Sequence, residues 1–244
     1  IIREILDTEI PDFFKSVWEL YKESSPDDLA LFFTLIAISI KYTPEFDDDD
    51  VATVIELLKK VFSEKEDLTI FSSSLTIVHA LISFDSQLSE ELLPEVIPNI
   101  SLCLEFENSD VLNSTVHFLS DCITFFKDAG IDVVIPFVPQ LLNFISTPSN
   151  EILITLSRFV KHGFISENEE FDYNSLIQQL LELVNNFVDS DSAELEKGAS
   201  LSIRALAPVI DDEIRLSFLD KLIQQVQSHF DISVIQEAIR SIAR

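Results

Sequence analysis

Apolar residues recur along this chain with a period near 3.6, interrupted by short polar breaks. Twelve stretches carry the pattern: 10–22, 27–41, 50–62, 67–83, 89–105, 109–127, 131–146, 150–163, 173–188, 192–207, 212–228 and 231–243. Each is predicted to be an amphipathic helix with one face turned to a core. The breaks are only a few residues long, so consecutive helices must lie antiparallel and side by side. They group into six pairs, at 10–41, 50–83, 89–127, 131–163, 173–207 and 212–243.

The second helix of each pair keeps a register. An apolar residue stands near its start at Leu29, Ile70, Val111, Ile152, Leu195 and Val234, at steps of 41, 41, 41, 43 and 39. Four residues on come Phe33, Ser74, Thr115, Leu156, Ala199 and Ala238, and three further on Ile36, Ile77, Phe118, Phe159, Ser202 and Ser241. Positions 0, +4 and +7 share one helix stripe, so this stripe is expected to pack on the partner helix and the next repeat. A fixed period near 41 marks a repeat array, in which each pair buries its apolar face only by stacking on its neighbours.

Punctuation agrees with these elements. Ser25-Pro26-Asp27-Asp28 places a proline where a first-turn N–H is dispensable, and Asn108-Ser109-Asp110 and Ser149-Asn150-Glu151 offer N-caps. Asp211-Asp212-Glu213 puts negative charge at a helix N-terminus, where the peptide dipoles favour it. Gly130 follows Lys127 and is expected to end that helix in the left-handed conformation. Pro94, Pro98, Pro136 and Pro139 interrupt first helices and are expected to kink them.

The period, the proline-bent first helices and two segments together resemble the HEAT-repeat family. The segments are Leu93-Pro94-Glu95-Val96-Ile97-Pro98 and Leu195-Glu196-Lys197-Gly198-Ala199-Ser200-Leu201-Ser202-Ile203. The family places Arg directly after the second-helix aliphatic residue, whereas Leu112 and Glu196 stand there in this chain. That departure is most similar to the divergent, importin-β-type (karyopherin) class of nuclear transport receptors. The resemblance implies an all-α solenoid of about six antiparallel pairs in a right-handed superhelix. It further implies a protein-binding module, with cargo and the GTPase Ran on the concave side and Phe-Gly nucleoporin repeats between first helices. The alternative is a HEAT scaffold subunit of a multiprotein complex of phosphatase, adaptor or chromosome-organising type.

Composition sharpens the picture. Hydrophobic residues make up 47% of the 244, ample for a core despite a formal net charge of −27. With 43 acidic against 16 basic residues, direct nucleic-acid binding is disfavoured and a basic protein partner favoured. Only three glycines leave little room for phosphate-cradling loops. Cys103 and Cys122 are expected to be buried thiols of a reducing compartment, cytoplasmic or nuclear. The longest nearly apolar run, 29–40, is too short to span a bilayer. A chain that begins at Ile1 and contains no Met is expected to be a segment of a longer array.

Candidate chemistry is sparse. The histidines, His79, His117, His162 and His229, lack the i, i+3 or i+4 spacing of a metal site. No catalytic, cofactor-binding or metal site is therefore expected. His117 and Asp121, one turn apart beside Cys122, read as half of a nucleophile–base pair or, more plainly, as a polar pair inside a repeat. Two acidic clusters are candidate partner-binding sites: Asp47, Asp48, Asp49 and Asp50 between the first two pairs, and Glu167, Glu169, Glu170 and Asp172 between the fourth and fifth. Either could instead cap the helix that follows. The second helices of the first three pairs are nearly uncharged, whereas those of the last three bring Arg158, Lys161, Arg204 and Arg240, so a uniformly acidic concave face is not expected.

Overall fold

A computed structural model describes residues 13–23, 28–42, 47–63, 67–84, 92–106, 108–144, 150–165, 171–228 and 231–242. Among these residues the chain is helical throughout, with no strand. The helices are α1 Phe13–Glu23, α2 Leu29–Tyr42, α3 Asp48–Ser63, α4 Leu68–Phe84, α5 Leu93–Glu105, α6 Ser109–Val134, α7 Val138–Asn143, α8 Asn150–Ile165, α9 Tyr173–Phe187, α10 Ala193–Leu206, α11 Asp212–Ser228 and α12 Ile232–Ile242. A 3-10 turn, Ile135–Phe137, links α6 to α7. The chain divides into two compact units, Ile1–Asp121 and Cys122–Arg244.

Within the first unit α1 packs on α2, α3 on α4 and α5, and the second helices α2 and α4 lie against each other. Within the second unit α9 and α11 pack on α10 and α12, and α8, α10 and α12 stack as a layer of second helices. The stripe explains why. The +4 residues Phe33, Ser74, Thr115, Leu156, Ala199 and Ala238 are all 0% exposed, whatever their size or polarity. Buried hydroxyls on this stripe turn back onto their own helix: Ser74 Oγ donates to the Phe71 carbonyl and Thr115 Oγ1 to the Val111 carbonyl. The hydroxyl demand is thus met locally, and the helices can approach without an orphaned polar group.

Position 0 is less uniform than expected. Val111, Ile152 and Val234 are buried, but Leu29, Ile70 and Leu195 are only half-buried. In α4 the core place expected of Ile70 goes to its neighbour Phe71, whose ring packs 5.3 Å from that of Phe62. A first-turn residue lies at the rim of a stack, where a shift of one position changes which side chain faces inward.

The boundary between the third and fourth pairs differs from the expectation. Helical structure does not stop at Lys127 but continues to Val134. Gly130 has no left-handed φ, so it is not the C-terminal αL residue that was expected. A Cβ at Gly130 would instead collide with the backbone carbonyl of Cys122, whose carbon would lie at 2.5 Å. Eight residues of straight helix rise about 12 Å. The chain must therefore fold back sharply between these positions, and glycine supplies space there rather than conformational freedom. The prolines act largely as expected. Pro136 and Pro139 fall where the helix is broken into a 3-10 turn and the short α7, and Pro98 lies inside α5. Pro94, by contrast, occupies the first turn of α5, where its missing N–H costs nothing. The expected Ser25-Pro26 start lies outside the described residues.

Candidate interaction surface

Among the described members of the two acidic clusters, the carboxylates of Asp47, Asp50 and Asp172 bond backbone N–H groups at helix starts. Asp47 Oδ1 accepts from the N–H groups of Asp49 and Asp50, each at 3.0 Å, capping α3. The Asp47 N–H in turn donates to Asp50 Oδ2 at 3.4 Å, closing a capping-box arrangement. Partial burial is the main reason that the Asp50 carboxyl is held above its usual range. Asp48 and Asp49 are exposed in the first turn, where the helix dipole favours their charge. Asp172 caps α9 by accepting from the Ser175 N–H at 3.1 Å. Glu167, Glu169 and Glu170 lie outside the described residues. Asn108 caps α6 as expected, through bonds of 2.9 and 3.1 Å from the Asp110 and Val111 N–H groups. Asn150 does not spend its side chain on its own helix.

Of the side chains that join one second helix to the next, Asp121, Asn150, Arg204 and Arg240 were singled out in the sequence, but their partners across the repeats were not. In the first unit, His79 on α4 pairs with Asp121 on α6, Nδ1 to Oδ2 at 2.5 Å. Asp121 is 9% exposed, and its bond is the main reason that His79 is more easily protonated than an ordinary histidine, with burial of the ring working against it. The sequence expectation joined Asp121 to His117, but its bond to His79 comes from the preceding repeat. The signal was present: 79 and 121 differ by 42, almost one period. Around this pair Leu75, Thr76, Ser114, His117 and Phe118 line a cleft of about 270 Å³.

The second unit makes the corresponding junctions differently. Asn150 Nδ2 on α8 donates to the Glu194 carbonyl of α10 at 2.5 Å. Close approach is possible because Gly198 has no side chain: a Cβ there would lie 2.5 Å from Asn150 Cγ. Between α10 and α12, Ser241 Oγ donates to the Ser200 carbonyl at 2.8 Å. Arg204 and Glu237 form an ion pair at 2.7 Å, and Arg240 adds a second cation at 3.4 Å. Glu237 is only 4% exposed, and both guanidinium groups lie against its carboxyl group. Beside this junction lies a cleft of about 520 Å³ lined by Lys161 of α8, Arg204 of α10, Arg215 of α11 and Ser241 of α12. Ile203, Leu219, Leu222 and Ile242 supply apolar surface to it, and among the described residues no carboxylate lines it.

Cys103 and Cys122 are both buried. Burial pushes the Cys103 thiol up to about 11, away from the reactive thiolate. Among the described residues no three His, Cys, Asp or Glu side chains are placed to share a metal ion, and no helix is long and apolar enough to cross a membrane.

Solved structures resemble this architecture over nearly its whole length. An engineered protein aligns with a TM-score of 0.62 and 16% identity, covering 96% of this chain and 98% of its own. A designed armadillo repeat protein aligns at 0.56 and 15%, covering 95% and 99%. Another, solved in complex with the peptide (KR)4, aligns at 0.54 and 17%, covering 95% and 100%. No protein-family model and no curated protein sequence matches the chain. The fold is that of an armadillo-like α-solenoid. Such repeats offer a row of second helices as a continuous surface, an arrangement suited to binding proteins.

Proposed function

We propose that this chain is a protein-binding repeat module that holds a segment of polypeptide against its second helices. The observation that carries this reading is the pair of clefts, one in each unit, opening beside the polar junctions between successive second helices. Grooves lined by apolar side chains with a few placed polar groups are where extended ligands gain both affinity and orientation. That a designed neighbour was solved with a Lys-Arg peptide supports a peptide as the ligand class. The net charge of −27 supports a basic surface on at least one partner.

The more specific reading is an importin-β-type transport receptor segment in the cytoplasm or nucleus, binding cargo, Ran and Phe-Gly nucleoporins. It rests on the sequence resemblance and the acidic balance. Titration calorimetry with purified GTP-loaded Ran, a Phe-Gly repeat peptide and a Lys/Arg-rich peptide tests it. Saturable binding of Ran and the Phe-Gly peptide supports transport. Binding of neither, with a fixed set of subunits recovered by cross-linking in cell extract, replaces transport by the scaffold reading. If no polypeptide cross-links to α4, α6, α8, α10 or α12, the module reading itself fails.

A further inference from the structure

We propose that the cleft of the second unit is a docking site for an acidic-apolar peptide segment, one that alternates carboxylate or phosphate groups with aliphatic side chains. This deepens the module reading and rests on it. Lys161, Arg204 and Arg215 come from three different helices, α8, α10 and α11, and converge on one cleft of about 520 Å³ whose wall, among the described residues, holds no carboxylate, Glu237 and Asp212 pairing with Arg204 and Arg215 from outside it. In a chain with 43 acidic and 16 basic residues, such local cationic enrichment runs against the composition.

The three cations are not equally occupied. Arg204 is engaged by Glu237 at 2.7 Å and is held three-quarters buried, so its guanidinium is fixed in place. Arg215 is half-exposed and bonded to Asp212 one turn earlier on its own helix, an exposed pair that contributes little and exchanges readily. Lys161 has no ion pair or hydrogen bond among the described residues. The cleft therefore offers one fixed guanidinium, Arg204, one cation, Arg215, held by an exposed pair and the Ala207 carbonyl that a ligand can displace, and Lys161. Ile203, Leu219 and Leu222 form an apolar floor that an acidic ligand without aliphatic groups would leave uncovered. Net charge does not overrule this local field: beyond a Debye length of about 8 Å at physiological salt, the acidic residues elsewhere are screened. A basic partner recruited by the whole chain and an acidic segment seated in this cleft are therefore compatible.

Fluorescence anisotropy with the whole chain tests the proposal. The probes are a labelled twelve-residue Glu-Leu alternating peptide, its Lys-Leu counterpart and its Glu-Ser counterpart. The Glu-Leu peptide is expected to bind at least tenfold more tightly than either of the others, and more weakly as salt rises. Lys161→Gln with Arg215→Gln, both outside the core, is expected to weaken it tenfold or more with an unchanged melting temperature, whereas His117→Gln in the other cleft leaves it intact. Equal binding of the Lys-Leu peptide, or of the Glu-Leu peptide to the double variant, overturns the proposal. So does self-association that the double variant abolishes, which would seat a second copy there. If the Glu-Leu peptide fails while another polypeptide still cross-links to the second helices, this inference falls and the module reading stands.

Discussion

The two units solve the same packing problem with different polar chemistry. Both bury the +4 residue of every second helix completely, yet the first unit places Phe33, Ser74 and Thr115 there and the second Leu156, Ala199 and Ala238. The first joins α4 to α6 through a histidine–aspartate pair, the second joins α10 to α12 through arginines on a buried glutamate. A titratable cleft results in one unit and a permanently cationic one in the other. The lesson is that a repeat period constrains the stripe that must be dry, while the residues flanking it are free to diverge and to set what each unit can bind.

The largest test breaks the dry stripe in the first unit. Val111 is 0% exposed, so Val111→Asp buries an unpaired charge and should cost roughly 4–5 kcal/mol. Nearest-neighbour coupling should spread the loss, so hydrogen exchange in α4 and α6 should accelerate together. Unchanged protection there would show that the stripe does not carry the stack. In the second unit, Leu156→Ala, at the +4 position of the same stripe, should remove about 3 kcal/mol by leaving a cavity, read as a lower denaturation midpoint.

The next test separates the two polar junctions by pH. Bonding to Asp121 raises the pKa of His79 in the folded state. Its stabilisation is thus fully present below the ordinary histidine value and is lost as pH rises through the folded value. Exchange protection at the α4–α6 junction should fall over that interval, and His79→Gln should flatten the response. The Arg204–Glu237 junction should not respond, because arginine keeps its proton. An equal pH response at α10–α12 would remove the distinction between the units.

The smallest effect concerns the acidic cap. Asp47→Asn should shift stability by no more than a few tenths of a kcal/mol, since asparagine caps as well as aspartate, whereas Asp47→Ala should cost about 1 kcal/mol. If Asp47→Asn leaves thermal stability intact but slows association with a basic peptide at low salt, Asp47 recruits partners as well as capping α3. If both variants bind at the wild-type rate, capping is its whole role.

The helices, their pairing, the dry stripe, the caps at Asn108 and Asp172 and the acidic first turn at Asp212-Glu213 were legible in the amino-acid sequence because each depends on residues within about four positions of one another. Such interactions repeat with the helix, and a period near 41 shows where the pattern starts again. Gly130 was misread because a left-handed cap and a close backbone approach both select glycine, and only the path of the chain from Cys122 tells them apart. The junctions lay further off: His79 with Asp121, Asn150 with Glu194, Arg204 with Glu237. Their partners stand 33 to 44 residues apart. Which of them meet depends on how far each helix is rotated about its axis and shifted along its neighbour. One residue turns a helix face by about 100°. Periodicity alone does not resolve that rotation. The apolar stripe therefore belongs to the sequence, whereas the polar junctions beside it, and the cationic cleft they frame, exist only once three or four separate helices have packed.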